Sequence, residues 1–287
     1  MRLLFSLVGR LPLFLLHGLG AFLGGLVFLL SAKERCRAKE NLRFAYPHGV
    51  PRGLAWRSAL SSGRAMAELP YLWTRPVDQV MAHVSAVAGW DEVAAARARG
   101  EAVIFLTPHI GSFDVAGQLC ASRLPIVCLY RAPKSAVVES LMLAGRARSG
   151  MTLAAADNAG VKKLLKSLRR SEAVGILPDQ VPQTGEGIWA PYFGQPAYTM
   201  TLAARLTELP NVRAFFIYVL RQPFGRYQAI VRPPEAPIAG DLPARVDQIN
   251  REIERIVLAH PDQYFWSYNR YKAPNAAAVA SREAGGQ

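Results

Sequence analysis

The segment between Arg10 and Lys33 constrains this chain most. It holds 22 consecutive residues without a formal charge, and His17 is its one histidine. As a helix such a run is about 33 Å long, enough to cross the hydrocarbon core of a bilayer. It ends in Leu-Ser-Ala-Lys-Glu-Arg, which is unlike the small-residue cleavage site of a signal peptide. A buried core helix is seldom apolar all round. Residues 1–32 therefore read as a membrane anchor, either spanning the bilayer or embedded in it. From Lys33 to Arg64 there are eight basic residues against Glu34 and Glu40. The positive-inside bias puts the chain after the anchor on the cytoplasmic face, against the anionic headgroups of inner-membrane phospholipids. Gly20 and Gly24 form a GxxxG, a helix-contact face.

The remainder, 33–272, reads as one soluble domain, followed by an Ala-rich flexible tail at 273–287. Hydrophobic residues make up 51% and charged residues 19%, which excludes a disordered chain. Three cysteines without a CxxC pair exclude a disulfide scaffold and a zinc finger, and they point to free thiols in a reducing compartment. A net charge of +13 calls for anionic partners. No nucleic-acid module is present, so a membrane surface is the better fit than nucleic acid. Short β-branched or aromatic runs at 103–107, 126–130, 174–177, 214–219 and 228–231 alternate with helical patterns. Those patterns lie near 114–122, 135–148, 160–170, 199–208 and 243–259. The alternation predicts an α/β fold, a central mostly parallel sheet flanked by helices, behind an N-terminal membrane-anchoring helix. In such sheets the site lies beyond the carboxyl ends of the strands.

The run Ala102–Pro108 reads as a buried strand that delivers His109 at its carboxyl end, with Gly111 for a tight turn and Asp114 beyond it. A carboxylate at this spacing can hold one ring nitrogen and leave the other facing a substrate hydroxyl. The same spacing also suits an ordinary strand-end histidine beside a helix-capping aspartate. No histidine pair has metal-site spacing, and no G-x-S-x-G, P-loop or G-x-G-x-x-G occurs. No metal or cofactor is expected.

An apolar strand ending in H-x4-[DE] resembles the glycerolipid acyltransferase superfamily, and the wider context resembles its late lipid A acyltransferase branch. Arg37-Ala-Lys-Glu-Asn41-Leu-Arg-Phe-Ala-Tyr-Pro47 is similar to that branch's segment after the anchor. Tyr130-Arg131-Ala-Pro133, Arg146-Ala-Arg148-Ser-Gly150, Leu177-Pro-Asp179-Gln180, Tyr192-Phe193-Gly194 and Pro261-Asp-Gln263-Tyr264-Phe-Trp266 are similar to its later blocks. The chain departs from the branch in carrying Asp114 where Glu is more frequent, and Ser112-Phe113 where Asn-Trp is.

The resemblance implies transfer of a fatty acyl chain from acyl carrier protein to a hydroxyl of a lipid A precursor, at the cytoplasmic face of a bacterial inner membrane. Other acceptors (a lysophospholipid, an ornithine lipid, another glycolipid) and a non-catalytic membrane scaffold are the alternatives. It further implies His109 as base and Asp114 as its orienting acid. Arg131, Arg146, Arg148, Asp179, Gln180 and Gly194 are implied as substrate-binding residues. Arg146 and backbone amides are the candidates for stabilising the oxyanion. The helix carrying Lys162, Lys163, Lys166, Arg169 and Arg170 reads as a docking face for an acidic carrier, for headgroups, or simply as a solvated face.

Overall fold

The computed structural model describes residues 2–133 and 135–274. The flexible-tail expectation thus lies almost wholly outside the described residues. Four helices come first: α1 (Arg2–Val8), α2 (Leu13–Leu30), α3 (Ala32–Ala45) and α4 (Leu54–Thr74). The alternating body follows, as α5 (Val77–Met81), β1 (Val84–Ala88), α6 (Trp90–Ala98), β2 (Ala102–Leu106), α7 (Phe113–Arg123), β3 (Ile126–Tyr130) and α8 (Ala136–Ala147). It continues with β4 (Thr152–Ala155), α9 (Asn158–Arg169), β5 (Ala173–Ile176), β6 (Gly187–Tyr192), β7 (Gln195–Met200) and α10 (Leu202–Leu206). The last elements are β8 (Val212–Gln222), β9 (Arg226–Arg232) and α11 (Leu242–Ala259).

Seven strands form one sheet in the order β1-β9-β8-β2-β5-β3-β4. Only the β8–β9 pair is antiparallel, as expected for two strands joined by a tight hairpin. The mostly parallel α/β expectation is met. All five residues of β2 are buried, because strands flank it on both sides and helices cover both faces. Ile104 and Leu106 pack toward α9 and α11, whereas Val103 and Phe105 pack toward α6 and α7.

The helix expected at 199–208 shrinks to α10. Its start belongs to β7, which pairs antiparallel with β6 from Gly187↔Met200 to Tyr192↔Gln195. Phe193 (φ 46°) and Gly194 (φ 70°) make the two-residue turn of that hairpin, the left-handed pair such a connection requires. The short edge strands β1 and β4 carry too little patterning to be read from sequence.

α2 is long and apolar enough to cross a membrane. One side of it packs on α4. A Cβ at Gly20 would lie 2.6 Å from the Gly63 carbonyl, and one at Gly24 only 2.3 Å from that of Ala59. The GxxxG therefore serves close approach within the chain.

Candidate active site

Parallel pairing of β2 with β5 builds the site. Leu106 lies opposite Ile176, and each strand continues through one residue and a proline to its functional side chain. Thr107-Pro108 leads to His109, and Leu177-Pro178 leads to Asp179. Equal extensions of two hydrogen-bonded strands, about 4.8 Å apart, bring the two residues side by side. His109 Nδ1 is 2.7 Å from Asp179 Oδ1, and the His109 backbone N–H donates to Asp179 Oδ2 at 2.8 Å. Burial works to raise the Asp179 carboxyl, but the His109 ring, its backbone N–H and the charge of Arg270 outweigh it and hold the group below its ordinary value. An ionised Asp179 accepts from Nδ1–H, so the tautomer follows from the partner and Nε2 carries the lone pair. Among the described residues Nε2 has no hydrogen-bond partner, and the side chain is 18% exposed.

This corrects the expected pairing of His109 with Asp114. Asp114 lies in the first turn of α7 and is buried against other groups. It accepts from Arg146 Nε at 3.0 Å and Nη2 at 2.9 Å, and from Trp73 Nε1 at 3.2 Å. A two-pronged guanidinium and an indole N–H engage both carboxylate oxygens, and the imidazole bonds to Asp179 instead. Burial opposes the charge on Arg146, but Asp114 outweighs it and raises the arginine further.

His109 lines two cavities. One, of about 190 Å³, is also lined by Phe113, Tyr130, Arg131, Arg146 and Gln180. Asp114 thus presents Arg146 to the cavity the imidazole faces and leaves its Nη1 without a protein partner among the described residues. The other cavity, of about 390 Å³, includes Arg37, Asp179, Gln180, Tyr268, Asn269 and Lys272. It shares Glu34, Phe265 and Ser267 with an apolar groove of about 470 Å³ between α2, α3 and α4. A polar chamber holding the histidine therefore opens onto a greasy channel beside the N-terminal helix.

The remaining expected residues divide. Arg131, Arg146, Asp179 and Gln180 line these cavities. Arg148 instead donates to the Thr74 carbonyl at 2.6 Å, tying α8 to the end of α4. Gly194 serves the hairpin turn, where its backbone conformation is the requirement. The backbone amides of the turn that carries the histidine are committed. Those of His109, Ile110, Gly111 and Ser112 donate to Asp179, Pro108, Gln263 and Val219.

Cys120 is buried and Cys128 half-buried, and loss of solvent pushes the Cys128 thiol up to about 12, which suits neither to act as a nucleophile. Among the described residues no His/Cys/Asp/Glu group is suited to a metal ion. Sequence reasoning missed Asn41, whose amide donates to the Trp266 and Tyr268 carbonyls at 2.6 and 2.7 Å and fixes the loop that walls the larger cavity. An asparagine amid the charged residues of α3 was the available signal.

The fold and site define an α/β protein in which a carboxylate-held histidine lines two cavities beyond the strand ends. The chain belongs to the bacterial lipid A biosynthesis acyltransferase family, whose model matches residues 3–273; it is an acyltransferase. It is similar to the lipid A biosynthesis lauroyltransferase of Escherichia coli (strain K12), 24% identical over 272 residues, 93% of this chain and 88% of that protein. The palmitoleoyltransferase of the same strain is 23% identical over 268 residues, with 92% and 87% covered. Lipid A biosynthesis acyltransferase 2 of Shigella flexneri is 27% identical over 256 residues, with 86% and 80% covered.

Proposed function

We propose that the protein transfers a fatty acyl chain from the thioester of acyl carrier protein to a hydroxyl of a lipid A precursor, while bound to the cytoplasmic face of a bacterial inner membrane. The observation that carries this reading is the His109–Asp179 pair, with Nε2 open to cavities that continue into an apolar groove. Nε2 removes the acceptor hydroxyl proton as the oxygen attacks the thioester carbon. Asp179 stabilises the imidazolium so formed. The C–O bond forms, the C–S bond breaks, and the imidazolium returns its proton to the departing thiolate. Proton transfer of this kind contributes roughly 10²–10⁴-fold.

With the turn amides spent, the free Nη1 of Arg146 is the donor best placed for the tetrahedral oxyanion. Asp114 acts as a positioning residue for that guanidinium. Arg37 and Lys272 border the polar chamber, where phosphate groups of the acceptor would meet them. The groove takes hydrocarbon. The exposed basic face of α9 suits an acidic carrier.

The test compares wild type with His109→Ala and Asp179→Asn, using acyl carrier thioester and lipid A precursor in detergent micelles. Loss of ester formation by folded variants supports the assignment; near wild-type turnover overturns it. Mass spectrometry of lipids from a deletion strain checks the acceptor: lipid A lacking one secondary chain supports this reading, and unchanged lipid A with another lipid altered points to a different acceptor.

A further inference from the structure

We infer that α2 lies in one leaflet, flat against the body of the enzyme, and that it shares the bilayer-facing surface with the tip of the β8–β9 hairpin. This rests on the proposal that the protein is membrane-bound, and it goes beyond it by fixing how the membrane is met.

Both ends of α2 are tied to the same body. Before it, Phe5 stacks on Trp73 with ring centroids 5.8 Å apart. Arg75 donates to the Gly9 carbonyl at 3.0 Å and the Arg10 carbonyl at 2.7 Å. After it, Arg35 donates to the Phe28 and Leu29 carbonyls, both at 2.8 Å, and Asn41 ties α3 to the loop at 266–268. Between the ends, the glycine seam and the 2.8 Å His17–Glu68 contact press α2 onto α4.

A helix crossing the bilayer puts its two ends on opposite sides. Here α2 runs beside α4, and Trp73 and Arg75, which hold its leading end, belong to the same rigid body as Trp266 and Tyr268, which hold the segment after it. To cross, α2 must either tear free of this seam or draw α4 in with it. α4 carries exposed Arg57 and half-buried Arg64, and charges of that kind are costly in hydrocarbon.

The opposite face of α2 is apolar and bare. Phe14, Phe22, Leu29 and Leu30 are 54%, 67%, 62% and 77% exposed. That is the pattern of a helix lying in the interface plane with one face in the acyl chains. The hairpin tip adds a second contact. Phe224 is 89% exposed and sits in the left-handed region at φ 58°. A left-handed phenylalanine is a strained choice for a turn, and here its ring gains no packing against the body in return. Its neighbour Gly225 packs on the start of α2, where a Cβ would lie 3.1 Å from the Phe14 backbone nitrogen. Phe14 and Phe224 line one cavity, so the exposed hairpin tip lies beside the start of α2. The partner is therefore a lipid surface, with Arg10, Lys33 and Arg35 flanking the apolar face to meet anionic headgroups.

The experiment uses the full chain with Cys36→Ser, leaving buried Cys120 and half-buried Cys128, and a new Ser6→Cys, with the Cys36→Ser protein alone as the labelling blank. In spheroplasts of a Gram-negative host, Ser6→Cys is expected to react with a membrane-impermeant maleimide only after lysis. Labelling of intact spheroplasts means that α2 crosses, and it overturns the inference. In parallel, sedimentation with phosphatidylethanolamine/phosphatidylglycerol vesicles compares wild type with Phe224→Asp. The substitution is expected to weaken binding roughly ten-fold while leaving acyl transfer in detergent unchanged. Equal binding by the two overturns the hairpin contact. A wild type that stays in the supernatant overturns the membrane reading itself, an outcome separate from the maleimide result.

Discussion

Among the described residues there are two histidine–carboxylate pairs of nearly equal length, and their surroundings differ. His17 Nε2 lies 2.8 Å from Glu68, and His109 Nδ1 lies 2.7 Å from Asp179. Both acids are buried, at 2% and 1% side-chain exposure. Glu68 also accepts both prongs of Arg221, at 2.8 and 2.9 Å, and the Tyr227 hydroxyl at 2.9 Å. Arg221 in turn donates to the Gly111 carbonyl at 2.6 Å and to Ser61. Glu68 thus accepts from His17, from two nitrogens of Arg221 and from Tyr227, and the cluster joins α2, α4, β8, β9 and the turn after His109. Asp179 is given over to His109 alone, through its ring and its backbone N–H, and the other ring nitrogen is left open to the cavities. Identical functional groups become a structural tie, or the base proposed for His109, according to what the surroundings leave unsatisfied.

Substitutions at the four residues separate these roles. The largest effect is expected at His109, where alanine lowers kcat roughly 10³-fold or more while the melting temperature barely moves. Asp179→Asn follows. An amide turned toward Nδ1 places the ring proton on Nε2, and kcat falls roughly 10²–10⁴-fold with KM little changed. Asp114→Asn gives a smaller loss, about ten-fold, through a loosened Arg146. Steady-state kinetics on the pair of asparagine variants checks the order, and a larger loss at Asp114 would return the orienting role to it.

The Glu68 cluster answers in stability. Glu68→Gln leaves Arg221 without its counter-charge and is expected to cost about 3–5 kcal/mol at neutral pH, read from denaturant unfolding. Burial alone would raise the Glu68 carboxyl, but Arg221 and His17 together push it down to about 2 from its ordinary 4.5. A depressed carboxylate stabilises the fold above its ordinary value, and that stabilisation is lost as the pH falls toward the folded one. The gap between wild type and Glu68→Gln therefore narrows on acidification from about 4.5 toward about 2. A gap that stays constant through this range would mean that Glu68 titrates alike folded and unfolded. The smallest effect is at His17: glutamine can still donate to Glu68, and it should cost less than about 1 kcal/mol.

Much of the scaffold was readable in advance because its signals are local. β2 is a continuous apolar run, α11 is an amphipathic helix of two-faced residues, and His109 follows a proline at a strand end. The error at Asp114 is instructive. Spacing along the chain places it near His109, but α7 begins at Phe113, and its first turn carries the carboxylate toward α8, where Arg146 and Trp73 take it. The better guide was the repeated pattern of apolar strand, one residue, proline and polar side chain at Leu106–His109 and Ile176–Asp179. It acquires meaning only once β2 and β5 are known to be neighbours in register.

Composition and motifs thus determined the α/β class, the greasy N-terminal helix, the candidate histidine at a strand end and the family, since each is written in residues close together in the chain. Which aspartate holds that histidine, which arginine the other aspartate takes, and the seating of the apolar helix on α4 were decided by packing. These depend on hydrogen bonds between residues 70, 32 and 51 positions apart, and only the folded chain brings such segments within reach.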